Sequence, residues 1–226
     1  MKYVKYIILA ILLQLSACAK NATGMDSMNT ALAEHFTVKR NLQNNTISYL
    51  KNINTNLSTN NKTPEENSLG FLQKYRKDFL LKNPSEELTI TYNKKDDLGF
   101  TRLKFQQNYR GIPVWKGIIS MHFNRQNTLQ LVRGEYFPTP SNLDMNTGMT
   151  IKELFQKTIQ INPSITEQNY SVQKIIIFKN EINPRIAYEL QPSRQANLAS
   201  KILVLDAITG DVLNQISAIQ TLRPLH

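Results

Sequence analysis

Thr101-Arg102-Leu103-Lys104-Phe105-Gln106-Gln107-Asn108-Tyr109 alternates without interruption. Thr101, Leu103, Phe105, Gln107 and Tyr109 share one side, and Arg102, Lys104, Gln106 and Asn108 the other, the period of two of a half-buried antiparallel strand. Asp97-Leu98-Gly99 reads as a turn before it, and Glu87 to Tyr92 as an earlier strand. Gly117 to Phe123 and Thr128 to Arg133 follow as strands, joined by Asn124-Arg125-Gln126-Asn127 as a hairpin loop. Upstream, Thr63-Pro64-Glu65-Glu66 combines a capping residue, proline at the first helical position and a glutamate that completes a capping box. Leu69, Leu72, Tyr75 or Arg76, and Phe79 then give one apolar helical face over about Ser68 to Leu81, ending near Asn83-Pro84.

The same order recurs downstream. Thr150-Ile151-Lys152-Glu153 is a second capping box, and Ile151, Leu154, Phe155, Thr158 and Ile159 mark a helical face. Val172 to Phe178, Arg185 to Gln191, Lys201 to Leu205 and Val212 to Ala218 read as strands, with Thr209-Gly210 turning the last pair. The expected fold is therefore α+β: two small units, each one helix packed on an antiparallel sheet, over residues 63–140 and 146–220. Cores of that size are marginal alone, so the units are expected to pack together.

Residues 18–62 are rich in Asn, Thr and Ser with few large apolar groups, the composition of a low-order tether. Before them, Lys2 and Lys5 precede the run Ile7-Ile8-Leu9-Ala10-Ile11-Leu12-Leu13 and then Leu15-Ser16-Ala17-Cys18, which is a secretion signal over residues 1–17. The run is far shorter than the roughly 20 residues of a spanning helix. Leu15-Ser16-Ala17-Cys18 resembles the bacterial lipobox, which implies lipidation of Cys18 and, with Ala19 behind it, an exported lipoprotein of the outer membrane or periplasm. Cleavage after Ala19 at a small-x-small site is the alternative.

A formal charge of +10 often means nucleic acid. An exported chain meets little of it, and Lys74, Arg76, Lys77, Lys82, Lys94, Lys95, Arg102 and Lys104 are scattered along the sequence, so an anionic membrane or an acidic protein is the expected partner. The single cysteine excludes a disulfide framework and, if lipidated, a Cys–His nucleophile. His35, His122 and His226 contain no His-Glu-x-x-His, and no Gly-x-Ser-x-Gly, phosphate loop or Gly-x-Gly-x-x-Gly is present. No catalytic residue, metal ligand set or cofactor is expected.

Gly99-Phe100-Thr101-Arg102-Leu103-Lys104-Phe105-Gln106-Gln107-Asn108-Tyr109-Arg110-Gly111-Ile112-Pro113-Val114-Trp115, followed by Met121-His122 and Leu131-Val132-Arg133-Gly134-Glu135-Tyr136, resembles the fungalysin/thermolysin propeptide domain. Arg185-Ile186-Ala187-Tyr188-Glu189-Leu190 and Leu205-Asp206-Ala207-Ile208-Thr209-Gly210-Asp211-Val212 resemble a PepSY domain. The resemblance implies a propeptide that assists folding of a thermolysin-like metalloprotease and inhibits it. Here the sequence reads as far as Pro224-Leu225-His226, about where such a protease would begin. The leading expectation is an envelope lipoprotein acting in trans as inhibitor or folding helper of such a protease; a generic envelope binding module, or the remnant of a precursor, is the alternative.

Candidate partner contacts are Trp115, Arg102, Lys104, Gln106 and His226. Trp115 beside Pro113 suits an interface anchor or edge packing. Arg102, Lys104 and Gln106 point away from the core by parity, as a contact face or a solvated one. His226, ending the tail from Ile219, suits approach to a partner's catalytic zinc or a frayed terminus. His122 reads as a solvated strand residue, and Asp206 and Gly210 as a hairpin corner.

Overall fold

The computed structural model describes residues 30–53, 62–179, 183–193 and 200–217. The expected secretion signal, Cys18, and the tail with His226 lie outside the described residues. The helices are α1 (Thr30–Ala33), α2 (Pro64–Lys74), α3 (Pro84–Glu87) and α4 (Ile151–Ile161). The strands are β1 (Phe36–Arg40), β2 (Ile47–Asn52), β3 (Leu88–Lys95), β4 (Thr101–Tyr109), β5 (Ile112–Phe123), β6 (Leu129–Glu135), β7 (Tyr170–Lys179), β8 (Asn183–Pro192), β9 (Lys201–Asp206) and β10 (Val212–Ser217). The fold is mixed α and β, dominated by sheet.

Both capping boxes form. The Thr63 hydroxyl accepts from the Glu66 amide at 3.2 Å and the Thr63 amide donates to the Glu66 carboxylate at 2.9 Å. Thr150 and Glu153 make the same exchange at 3.3 and 2.8 Å. Regular helix α2 ends at Lys74, earlier than its apolar period suggested. Turns carry the face on to Phe79 and close with Leu80 in the left-handed region at φ 55°, where the Leu80 amide donates to Lys77 O and the Leu81 amide to Arg76 O. That bond pair is a Schellman closure.

The expected low-order tether is wrong over residues 36–52, which form the β1–β2 hairpin and pair with β6. Leu32, Phe36, Ile47 and Leu50 are buried in the core under α2. The polar residues that suggested disorder make specific bonds: Asn44 Oδ1 accepts from the Thr46 amide and hydroxyl, and Asn44 Nδ2 donates to Tyr136 O.

The strands form one sheet in the order β1-β2-β6-β5-β7-β8-β9-β10, with β4 on the other side of β5 and β3 outside it. Two sheets were expected; β5 joins them. Arg110 and Gly111, both at positive φ, make the two-residue hairpin turn that starts β5 opposite Tyr109. Asn108 faces Pro113 and Gln106 faces Ile118, so Val114 to Gly117 bulge out opposite Gln107, and Val114 pairs in parallel with Ile176 of β7. The β1–β6 half covers one core (Leu72, Phe79, Leu103, Phe105, Met121, Val132) and the β7–β10 half another (Leu154, Phe155, Ile176, Tyr188, Leu205).

Gly134 has no room for a side chain: a Cβ there would lie 2.5 Å from the Tyr136 ring and 2.6 Å from Ile47 O. The Tyr136 hydroxyl accepts from the Ile47 amide at 3.1 Å, and burial pushes its phenol far above the usual range, against that bond and Arg40.

Candidate functional site

The bulge in β5 is held by two glutamines. Gln106 Nε2 donates to Gln107 O, Val114 O and Gly117 O at 2.8, 2.7 and 3.2 Å. Buried Gln107 exchanges two bonds with the backbone of Phe137, Nε2 to Phe137 O at 2.7 Å and Phe137 N to Oε1 at 3.0 Å. Phe137 in turn stacks on Phe178 of β7 with centroids 4.3 Å apart. Gln106, expected as a partner contact, is thus committed to the joint between the two halves.

Trp115 lies in the bulge and packs on a small cluster of Ile175, Ala187, Val204 and Ile177. Its indole N–H donates to Glu189 Oε1 at 3.2 Å, and Lys116 Nζ sits 4.7 Å from its ring centroid. It is half-buried.

Arg102 and Lys104 lie elsewhere, on the side of the β1–β6 half opposite its core. Cross-strand register lines up Lys94, Arg102, His122, Leu131, Lys51 and Thr37 in one row over six strands. The adjacent row is Tyr92, Lys104, Ser120, Arg133, Tyr49 and Lys39. Directly opposed residues share a face, so these rows make one surface about 24 Å across. It carries six Lys or Arg side chains, with Glu135, opposite Ile118, at one edge and exposed Asp96, two residues on from Lys94, near the other. Lys104 Nζ lies 5.6 Å from the Tyr92 ring and Lys39 Nζ 5.7 Å from the Tyr49 ring.

Among the described residues the ion pairs are Arg40–Asp78, Lys157–Asp211 and Arg185–Asp206, and none uses a cation of this surface. Arg102 Nε is buried without a hydrogen-bond partner. Burial first, then the Arg102 and Arg133 guanidinium groups, hold the His122 imidazole below its ordinary 6.5. The sequence showed Arg102 and Lys104 pointing outward, but not that four other strands bring Lys39, Lys51, Lys94 and Arg133 to them.

Asp206 and Gly210 form the expected corner. Asp206 Oδ1 accepts from the Ile208 and Thr209 amides at 2.9 and 3.1 Å, and Oδ2 accepts from Arg185 at 2.8 Å. Burial works to raise that carboxyl, but the Thr209 and Ile208 amides and Arg185 outweigh it and hold it below the usual value. Among the described residues, no three His, Cys, Asp or Glu side chains are placed to hold a metal ion, and no helix is long and apolar enough to cross a membrane.

The strands β3 to β6 and the end of α3 decide the comparison with known proteins. Residues 86–136 match the Fungalysin/Thermolysin Propeptide Motif. The chain is 26% identical over 172 residues to thermolysin of Alicyclobacillus acidocaldarius subsp. acidocaldarius, covering 71% of this chain and 31% of that one. It is 24% identical over 154 residues to the thermostable neutral protease NprT of Geobacillus stearothermophilus, covering 62% and 27%. The chain thus spans less than a third of the length of these relatives. Among solved structures, the Bacillus megaterium YpeB C-terminal domain aligns with a TM-score of 0.41 at 12% identity, covering 75% of this chain and 71% of that one.

Proposed function

We propose that this chain is a propeptide-like protein that binds a thermolysin-like metalloprotease in trans, as inhibitor or folding helper. The match of residues 86–136 to the propeptide motif carries the proposal, and the 172-residue similarity to thermolysin supports it. In this account residues 63–140 are the propeptide domain and 146–220 a PepSY-like domain, joined through β5. Trp115, with an apolar body held on Ile175 and Val204 and a polar edge at Glu189, is the protease anchor. The tail from Ile219 to His226 adds a contact at the protease's cleft. Cys18 carries the lipid that keeps the protein at the membrane, in the outer membrane or periplasm.

The test adds the chain from Ala19 onward, which keeps every described element, to purified thermolysin and to thermolysin refolding from denaturant. Stoichiometric inhibition or a higher refolding yield is expected, weakened at least about tenfold by Trp115→Ala. Removing residues 219–226 weakens inhibition less. A chain that neither inhibits nor assists refolding contradicts the proposal and favours a generic envelope binding module.

A further inference from the structure

We infer that the outer face of the β1–β6 half is a docking surface for an anionic lipid bilayer. The two register rows present Lys39, Lys51, Lys94, Arg102, Lys104 and Arg133 on a sheet face about 24 Å across, with none of them in an ion pair among the described residues. A broad face rich in cations, with Tyr49 and Tyr92 between them and Glu135 at its edge, fits an extended anionic plane, since tyrosine suits the bilayer interface and each nearby Lys or Arg adds attraction to acidic headgroups.

One end of this sheet adds exposed apolar groups. Phe36 faces Asn52, Leu129 faces Phe123, Phe123 faces Thr101, and Thr101 faces Lys95, so the start of β1 and the β3–β4 and β5–β6 turns share that end. There Ile53, Leu98 and Phe100 are 59, 63 and 43% exposed, and the Arg125 guanidinium lies 5.9 Å from the Phe100 ring centroid. Asp96 and Asp97 are exposed in the same turn, with the Phe100 amide donating to Asp96 Oδ1. Insertion here therefore rests on the apolar side chains and Arg125, the kind of group an interfacial site inserts, and the attraction to acidic headgroups comes from the sheet face.

The chain also comes in at this end. Thr30 is twelve residues on from Cys18, a stretch that spans at most about 40 Å when fully extended. A lipid on Cys18 therefore keeps this end of the sheet near the bilayer. That tethering rests on the lipidation proposed above; the basic face and the apolar end stand without it.

The experiment uses the chain from Ala19 onward, without lipid, and vesicles of phosphatidylcholine alone or mixed with phosphatidylglycerol. Sedimentation with the mixed vesicles and not with the neutral ones is expected, falling as salt rises. Combined Lys51→Glu, Lys94→Glu and Arg133→Glu, all at exposed positions, weakens binding roughly a hundredfold. Leu98→Ser with Phe100→Ser weakens it about tenfold. Equal binding to both vesicle types, an unaffected charge-reversal variant, or binding to polyglutamate with none to vesicles overturns the inference; the last result makes the face a site for acidic protein. The mass of the mature N-terminus separates the two proposals. Lipid on Cys18 with no vesicle binding by the lipid-free chain overturns the docking surface alone, and vesicle binding without lipid on Cys18 overturns the anchor alone.

Discussion

The outer face of the β1–β6 half and the corner of the β7–β10 half treat charge in opposite ways, while Arg40 of β1 meets Asp78 away from that face. In the β7–β10 half, Arg185 meets Asp206 at 2.8 Å, Lys157 meets Asp211 at 3.0 Å, and Trp115 donates to Glu189. On the outer face of the β1–β6 half, six cations stand in two adjoining rows, none of them in an ion pair among the described residues. Charges that meet partners within the chain hold its own corner together. Charges gathered without partners repel one another at some cost in stability, which is consistent with selection for something outside the chain. The joint at β5 lets one sheet carry both arrangements.

The largest effect is expected at the joint. Gln107→Ala leaves the amide and carbonyl of Phe137 without their partners and opens space beside Gly117, costing about 3 kcal/mol of unfolding free energy in denaturant titration. A loss under about 1 kcal/mol would show that the halves do not depend on this contact. Next comes the charge-paired half. Asp206→Ala removes the acceptor for two amides and for Arg185, at about 2 kcal/mol. Because the folded carboxyl is held below its ordinary 3.8, that contribution is present above pH 3.8 and lost as pH falls through the lowered value.

A smaller signature of the same sign, at higher pH, marks the basic face. His122 is disfavoured as a cation by burial and by Arg102 and Arg133, so the unfolded chain takes up its proton first as pH falls below 6.5. Stability should fall as pH drops through the ordinary 6.5 toward the lowered folded value, and His122→Asn should flatten that part of the curve. An identical slope in the variant would place the titration elsewhere. The smallest effect is expected for Lys51→Ala and Lys94→Ala, each within about 0.5 kcal/mol of the parent, because neither cation has an ion pair to lose.

Local chemistry was legible in the sequence, and register was not. Thr63 with Glu66 and Thr150 with Glu153 announce their helices because a capping box is complete within four residues. The alternation of residues 101–109 announces β4 for the same reason. The β1–β2 hairpin stayed hidden because its apolar residues, Leu32, Phe36, Ile47 and Leu50, are sparse, and Asn44 and Thr46 make their bonds with Tyr136, some 90 residues on. The strand start at Ile112 was masked by Pro113 and Gly117, whose place in a bulge depends on Gln106 and Gln107. The basic face is a product of five strand pairings, so its cations look scattered along the chain and adjoin only in the folded sheet.

The most direct test of two surfaces with separate partners measures the same two variants against both. Binding of the chain from Ala19 onward to thermolysin and to vesicles containing phosphatidylglycerol would be titrated for Trp115→Ala and for the combined Lys51→Glu, Lys94→Glu and Arg133→Glu. The account predicts a crossed result, with Trp115→Ala weakening only the protease complex and charge reversal weakening only the vesicle complex. Parallel losses in both assays for either variant, in chains that melt like the parent, would contradict it.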